Sequence, residues 1–305
     1  MPELQLLPAQ PGVFFRDEDH KYFYRTPQAP QPQPQEQIEV PSSSHIIELA
    51  GGKDFPKEHW KQSLMRKGLT DMGAEYFMDR VRDIRADIGT RLHGMVGLSL
   101  GSFEQEKIST DFHRDTEAAI IHSLWYDYVR PRIGKVYVIE EPMIHPGGCY
   151  GFTPDLIAEV DGILSVCDWK TNQPEHFAER YQRLCDYAPD DKILASICEL
   201  LTKVDAEAGK VKESTFKVRG GWQMQQGSYA FGIEAVAGLR VERGINFGLS
   251  VDGVSEKTWN RPDLDQGWLQ FAGGLALHHQ RKAASGGHPV FGAALNALGP
   301  LMHAR

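Results

Sequence analysis

Apolar positions recur at helical steps in the first part of the chain and at strand-like steps in the middle. The clearest helical stripe is Phe77, Val81, Ile84, Ile88, Leu92 and Met95, with Asp71 as the predicted N-cap. Residues 55–68 predict a shorter helix with Trp60 and Leu64 on one face. A further helix is predicted from Thr116 to Val129, its apolar side made by Ala119, Ile120, Leu124 and Tyr128 and its end set by Pro131. The pattern then changes to the β-branched and aromatic run Val136–Ile139. After Gly147-Gly148 come LIAEV (156–160) and ILSVCDW (163–169), separated only by Asp161-Gly162. An Asp-Gly pair between two such runs is a strong hairpin signal. Residues 175–213 are helix-forming but weakly patterned. Trp222–Val236 predicts another helix, 245–251 a strand, and about Asp263–Arg281 a last amphipathic helix. Residues 13–24 predict a short hairpin, while 27–37 form a Pro/Gln tract that is extended and exposed. No internal repeat is visible. Helices flanking a small mixed central sheet make the expected class α/β (α+β).

The hairpin brings chemistry with it. Across a two-residue loop Val160 faces Ile163 and Glu159 faces Leu164, so Asp155 falls opposite Asp168 on the same sheet face. Lys170, two residues on, joins that face. Two carboxylates about 5 Å apart repel by roughly 3 kcal/mol at an effective dielectric near 20. A divalent cation reverses that sign, and hard oxygen ligands suit Mg²⁺ or Mn²⁺. The bland alternative is a surface hairpin in which Asp155 caps a turn and Asp168 pairs weakly with Lys170. Against it stand the register, the Gly/Pro loop Gly151–Asp155, and the apolar run before Asp168, since charges at the end of a buried strand need a reason.

Composition adds limits. A chain of 305 residues, 41% hydrophobic and 24% charged, is long enough to bury a core without disulfides. No apolar run approaches the ~18 residues of a membrane span, and the N-terminal stretch lacks a targeting pattern, so a soluble cytoplasmic chain is expected. Net charge is −8, which argues against wholesale binding of nucleic acid through charge but not against a local basic groove. Arg80, Arg82, Arg85 and Arg91 lie close together, downstream of Lys61, Arg66 and Lys67; the ordinary reading of such a run is a solvated helix face. Cys149, Cys167, Cys185 and Cys198 contain no C-x-x-C pair and are expected as free thiols. His113-Arg114-Asp115, Gly51-Gly52-Lys53 and the adjacent His278-His279 each lack the context of a kinase loop, a P-loop or a ligand pair.

Pro154-Asp155, followed thirteen residues later by Asp168-Trp169-Lys170, matches the PD-(D/E)xK signature, and the chain resembles that nuclease superfamily. The continuation to Thr171 (DWKT) is similar to the branch holding RecB-type nuclease domains, CRISPR-adaptation nucleases, phage recombination exonucleases and the mitochondrial genome maintenance exonuclease. Gly89-Thr-Arg-Leu-His93 resembles the helical segment in which this branch carries a metal-binding histidine. Read alone, His93 is a helix-surface histidine one residue off the apolar stripe, and Gly89, one turn back, leaves room for a metal or phosphate. Gln225-Gln-Gly-Ser-Tyr229 matches the branch's Q-x-x-x-Y motif, whose two residues share a helix face and contact DNA in the family. Glu140 and Glu141 stand where the family carries an acidic residue supporting the metal. Strand alternation turns only one of them toward Asp155, and Glu140 is preferred. The segments DEDHKYFY and VPSSSHIIEL resemble the opening of phage-type members.

The resemblance implies a restriction-endonuclease-like core over 46–285, after an N-terminal segment 1–45 and before a tail 286–305. Lys170 and Gln225 lie further apart than in compact members, so 178–215 is expected as a helical insertion: an arch over DNA, a partner surface, or a segment without function. Asp155, Asp168 and His93 are expected to hold Mg²⁺ or Mn²⁺, with Lys170 positioning the water and Glu140 in support. Gln225, Tyr229, Arg85 and Arg91 are expected to hold DNA. No iron–sulfur cluster is expected, because the last cysteine is Cys198. The implied activity is DNA hydrolysis, by an exonuclease acting at ends or on single strands, with a recombination or single-strand-binding protein as a further partner. A structure-specific or nicking endonuclease, and a non-catalytic DNA-binding or assembly protein on the same fold, are the alternatives.

Overall fold

The computed structural model describes residues 2–16, 21–25, 37–51, 57–101, 116–146, 150–210, 212 and 219–284. An antiparallel sheet opens the chain, with β2 (Lys21–Arg25) between β1 (Val13–Arg16) and β3 (Gln37–Val40). Helices α1 (Ser43–Leu49), α2 (Lys57–Arg66), α3 (Asp71–Leu100) and α4 (Thr116–Tyr128) follow. Next come β4 (Ile133–Ile139), the short β5 (Met143–Ile144) and β6 (Gly151–Phe152), then β7 (Leu156–Val160) and β8 (Ile163–Thr171). Helices α5 (Phe177–Tyr187), α6 (Lys192–Glu207) and α7 (Gly220–Ala237) lead to β9 (Arg243–Ser250), β10 (Gly253–Asn260) and α8 (Arg261–Ala284). Most of the Pro/Gln tract, Gly147-Gly148, Cys149, His113-Arg114-Asp115 and the tail lie outside the described residues.

The central sheet has the order β10-β9-β8-β7-β4. Only the β8–β9 pair is parallel, and a parallel neighbour needs a long crossover, here supplied by α5, α6 and α7. Side-chain alternation on the sheet feeds two cores. One face packs on α3 and α4 through residues such as Trp125, Leu156, Cys167, Trp169 and Phe247. The other packs on α1, α7 and α8 through Ile157, Val166, Ala230, Trp268 and Phe271. The sheet is therefore mixed and flanked by helices on both sides. Among the described residues no helix is long and apolar enough to cross a membrane.

Several sequence expectations shift in detail. The α3 stripe is buried as expected from Phe77 to Met95, but the N-cap is Thr70, whose hydroxyl accepts from the Gly73 amide at 3.1 Å. In α4 the buried face is Ala118, Ile121 and Trp125, continued by Val129 just past its end, whereas Ala119 and Tyr128 are exposed. The apolar residues surround much of this helix, and the stripe carrying the bulky Trp125 wins the core. The boundary at 45/46 falls inside α1. Gln5 and Leu7 donate to the Val136 and Tyr137 carbonyls at 2.9 Å and cover the outer edge of β4, which protects that edge from further pairing. Of the expected insertion at 178–215, residues 211 and 213–215 lie outside the described residues; in the described part Tyr181, Leu184, Leu194, Cys198 and Leu201 join the α3 core rather than standing off as an arch. β10 has no counterpart in the sequence expectations.

Helices α7 and α8 cross at glycine. A Cβ at Gly227 would stand 2.5 Å from the Trp268 amide nitrogen, and one at Gly267 would stand 2.2 Å from the Gln223 carbonyl oxygen. Backbone cannot yield as a side-chain tip can, so Gly267→Ala is expected to lose about 1–3 kcal/mol. Gly273, on the same helix, has nothing within 4 Å, and Gly273→Ala should gain roughly 0.5–1 kcal/mol. Urea midpoints of the two variants should move in opposite directions; a common direction would contradict the close crossing.

Candidate active site

The hairpin register is the one the turn chemistry demands. Asp161 and Gly162 have φ of 52° and 77°, and the ladder runs from Val160↔Ile163 to Leu156↔Cys167. Asp155 is the next position, just past β7, and it stays with β8: the Trp169 amide donates to Asp155 Oδ2 at 2.6 Å. The carboxylate thus replaces the main-chain acceptor that β7 no longer supplies. Asp168 is 1% exposed. Lys170 Nζ lies 2.8 Å from its Oδ1 and 2.6 Å from its Oδ2.

His93 reaches this group from α3. Its Nδ1 is 2.9 Å from Glu140 Oε1 and 3.8 Å from Asp155 Oδ1. Gly89, one turn back on α3, faces Thr171 Oγ1, which a Cβ would meet at 3.6 Å. That is an ordinary contact, so the glycine is not sterically required there. Of the two glutamates, Glu140 joins the site, for a reason other than strand alternation. It lies beyond β4 with φ of 48°, and its amide donates to the Asp155 carbonyl at 3.2 Å. Among the described residues only Glu140 and the turn residue Asp161 are non-glycines with positive φ. A left-handed non-glycine costs of order 1–2 kcal/mol and persists where its surroundings fix it.

Electrostatics follow from this crowding. Burial alone would lower the His93 imidazole, but Asp155 and Glu140, with Asp168 behind, push it up to about 9. Burial raises the Asp155 carboxyl, Asp168 adds to that rise, and His93, Lys170 and the Trp169 amide oppose it. When His93 is neutral, the Lys170 ammonium matches only one of the three carboxylates. The donors satisfy one another: no three of the described His, Cys, Asp and Glu side chains form a ready ion-binding group.

Asp168 has a second support that the sequence reading missed. Its register partner on β9 is Asn246, fully buried, whose Nδ2 donates to Asp168 Oδ2 at 2.9 Å. Trp259 Nε1 on β10 donates to Asn246 Oδ1 at 2.7 Å and fixes which way the amide faces. A polar residue inside the apolar run Ile245-Asn246-Phe247 is the signal that marks this position. On α7, Gln225 Nε2 donates to the Tyr229 hydroxyl at 2.9 Å. Tyr229 is buried against Phe152. Burial, then Asp168, with Tyr22 and Asp155 adding, holds its hydroxyl well above the usual tyrosine range. Tyr22, whose hydroxyl is 2.7 Å from Thr153 Oγ1, brings the N-terminal sheet to the same place, and its ring fills the space that a Cβ at Gly151 would need.

The two arginines are not brought in. Arg85, 12% exposed at its side chain, is ion-paired with the buried Glu117 of α4, away from the Asp155, Asp168 and His93 group. Arg91 lies two residues from His93, about 200° around the helix, and pairs with Asp87 at 2.8 Å. Arg80 and Arg82 likewise face Asp191 and Asp79/Asp83, so this run is a charge-compensated helix surface. Cys167, Cys185 and Cys198 are free thiols.

Asn246→Ala would leave the Trp259 indole buried without its acceptor and leave Asp168 Oδ2 with Lys170 as its remaining partner. A loss of about 1–3 kcal/mol is expected in urea unfolding, and a larger one for Asn246→Asp, which sets a second buried carboxylate against Asp168. An unchanged midpoint in both would show that this amide does not hold the aspartate. No protein-family model matches the chain, and no curated protein does.

Proposed function

We propose that this chain is a divalent-metal-dependent deoxyribonuclease that hydrolyses phosphodiester bonds at DNA ends or in single strands. The observation that carries the reading is the meeting of Asp155, Asp168 and Lys170 at the open end of the β7–β8 hairpin, with His93 and Glu140 against them. The Pro154-Asp155, Asp168-Trp169-Lys170 and Gln225/Tyr229 patterns support a PD-(D/E)xK type of site on a restriction-endonuclease-like core.

Mg²⁺ or Mn²⁺ fits the donor chemistry. Three carboxylates, one ammonium and one imidazole leave two negative charges when His93 is neutral, and hard oxygen donors suit these ions. Asp155, Asp168 and His93 would hold the ion, which when bound makes a water more acidic and draws charge from a phosphate oxygen. The protein's own groups do the rest. Asn246 and Trp259 hold Asp168 in place, and Glu140 orients the His93 ring, as outer hydrogen bonds do at metal sites. Lys170, 28% exposed at its side chain and paired with Asp168, would position a water or offset the charge that develops on a phosphate oxygen. Gln225, half-buried and steadied by Tyr229, contacts the strand.

Labelled linear, nicked and closed circular DNA incubated with Mn²⁺ tests this directly. Linear DNA should be degraded, EDTA should stop the reaction, and Asp168→Ala and Lys170→Ala should each lose at least about 10²-fold, the scale of removing one group that stabilises developing charge. Equal activity in all three proteins, or activity that survives EDTA, sinks the mechanism. Cleavage of closed circles assigns an endonuclease instead. DNA binding without any hydrolysis assigns a non-catalytic binder.

A further inference from the structure

Helices α5 and α6 are joined by the four residues 188–191, and a connection this short makes them an antiparallel pair. Two groups of contacts fix how they lie on each other and on α3. Far from the loop, the Tyr181 hydroxyl of α5 donates to Asp205 Oδ2 of α6 at 2.8 Å, and Lys67 Nζ donates to the same oxygen at 2.8 Å. At the loop, Asp191 caps α6 by accepting from the Leu194 amide at 2.9 Å. The Tyr76 hydroxyl and Arg80 Nε of α3 donate to that carboxylate at 2.7 and 2.8 Å.

Between these two fixed points each helix carries a cysteine. One turn from Tyr181 toward the loop is Cys185; two turns from Asp205 toward the loop is Cys198. Both belong to the core on α3, Cys198 buried and Cys185 half-buried against it. The Cys185 thiol lies against that of Cys198: burial, then charge and hydrogen bonding from Cys185, push the Cys198 thiol up. Any small apolar residue would serve the packing, but a facing pair of thiols adds chemistry. The candidate active site uses neither sulfur.

The two sulfurs differ in access. Cys198 is 3% exposed and its thiol stays protonated, the unreactive condition. Cys185 is partly open to solvent, so a small oxidant meets it first. Attack of the Cys185 sulfur on hydrogen peroxide breaks the O–O bond. Cys185 becomes a sulfenic acid, and its thiol proton leaves with the released oxygen as water. The Cys198 sulfur then attacks the Cys185 sulfur, the S–O bond breaks, and a second water leaves with the Cys198 proton. The peroxide gains the two electrons that the thiols lose. Helices held at both ends keep the sulfurs together, so the second step has the advantage of proximity.

We infer that Cys185 and Cys198 are a peroxide-oxidisable pair that closes to a disulfide between α5 and α6 with the backbone already in place. The bond would close a loop of about 14 residues and so restrict the unfolded chain. It would also lock part of the crossover that leads from Lys170 on β8 to Asn246 on β9. The inference stands apart from the nuclease reading.

The reduced full chain is treated with hydrogen peroxide at low molar excess, alkylated and cut with trypsin. Cleavage at Arg183, Lys192 and Lys203 separates the two cysteines. Peptides 184–192 and 193–203 should therefore appear as one linked species that dithiothreitol parts. In Cys198→Ala, dimedone should label the sulfenic acid of Cys185. The Tm of the oxidised chain should rise by about 5 °C, and Cys185→Ser, a change at a half-buried position, should show no such rise. A link from either cysteine to Cys149 or Cys167, or between two copies of the chain, overturns the inference. So does Cys185 oxidised to a sulfinic acid while Cys198 remains a thiol, since the sulfurs then do not meet. A linked pair whose Tm is unchanged or lower overturns it as well, because joining the sulfurs then strains the backbone.

Discussion

Positive φ at two successive residues, Asp161 and Gly162, sets everything that follows on β7 and β8. A two-residue turn of this kind matches the right-handed twist of the strands it joins, and it admits one register. Because side chains alternate on a strand, a slip of one residue would exchange the two faces. Cys167 and Trp169 would then stand where Asp168 and Lys170 now stand. Val166 and Asp168 would turn toward α3, and the cores on both sides of the sheet would lose their fit. The burial of Leu156, Ile157, Val166 and Cys167, none of them exposed, therefore holds the same register that the turn selects. Packing and turn agree, and the aspartates meet as a by-product of that agreement.

The meeting is electrostatically uncomfortable, and the surroundings are arranged around that fact. Asp168, Asp155 and Glu140 come from three segments, and each has its own partner: Lys170 with Asn246, the Trp169 amide, and His93. Asn246, the Trp259 that holds it, and His93 come from further elements, so the site is complete only when β9, β10 and α3 are all in place. Asn246 shows the logic most plainly. Its amide touches no solvent, yet both ends are used, one by Asp168 and one by the Trp259 indole. A buried polar network is stabilising only when fully satisfied, and this part of it is.

Much of this is legible in the sequence where the determinants are local. The hairpin follows from two residues between two apolar runs, and the α3 stripe from six apolar positions at a helical period. Where a determinant lies far along the chain, the sequence is silent. Nothing near Arg85 announces that Glu117 will neutralise it. The phase of α4 is ambiguous because Ile120, Ile121, Leu124 and Trp125 surround much of the helix, and only the partner surface decides which face is buried. β10 carries Ser255, Glu256 and Lys257 on an edge strand and buries Trp259 alone among its residues, so it lacks the apolar pattern of an interior strand. Glu140 is the residue the sequence favours, yet alternation is the wrong reason for it: a left-handed backbone just past β4 turns it to His93. Asn246 stands between these cases, since a lone amide in an apolar strand is a visible anomaly whose partners are not.

The layered arrangement also explains why the candidate site is at the end of the sheet. Along β8, odd positions such as Cys167 and Trp169 serve the α3 and α4 core, while Val166 serves the core on α7 and α8. Within the sheet these layers are separated by the backbone itself. Beyond β7, where Asp155 leaves the ladder, a side chain from α3 approaches one from the other face. His93 uses that gap, 3.8 Å from Asp155, and Tyr229 on α7 approaches Asp168 from the opposite layer. Charges gathered there are sheltered on both sides but open at the strand's end, so they keep the strength of a low-dielectric setting without being sealed from a ligand.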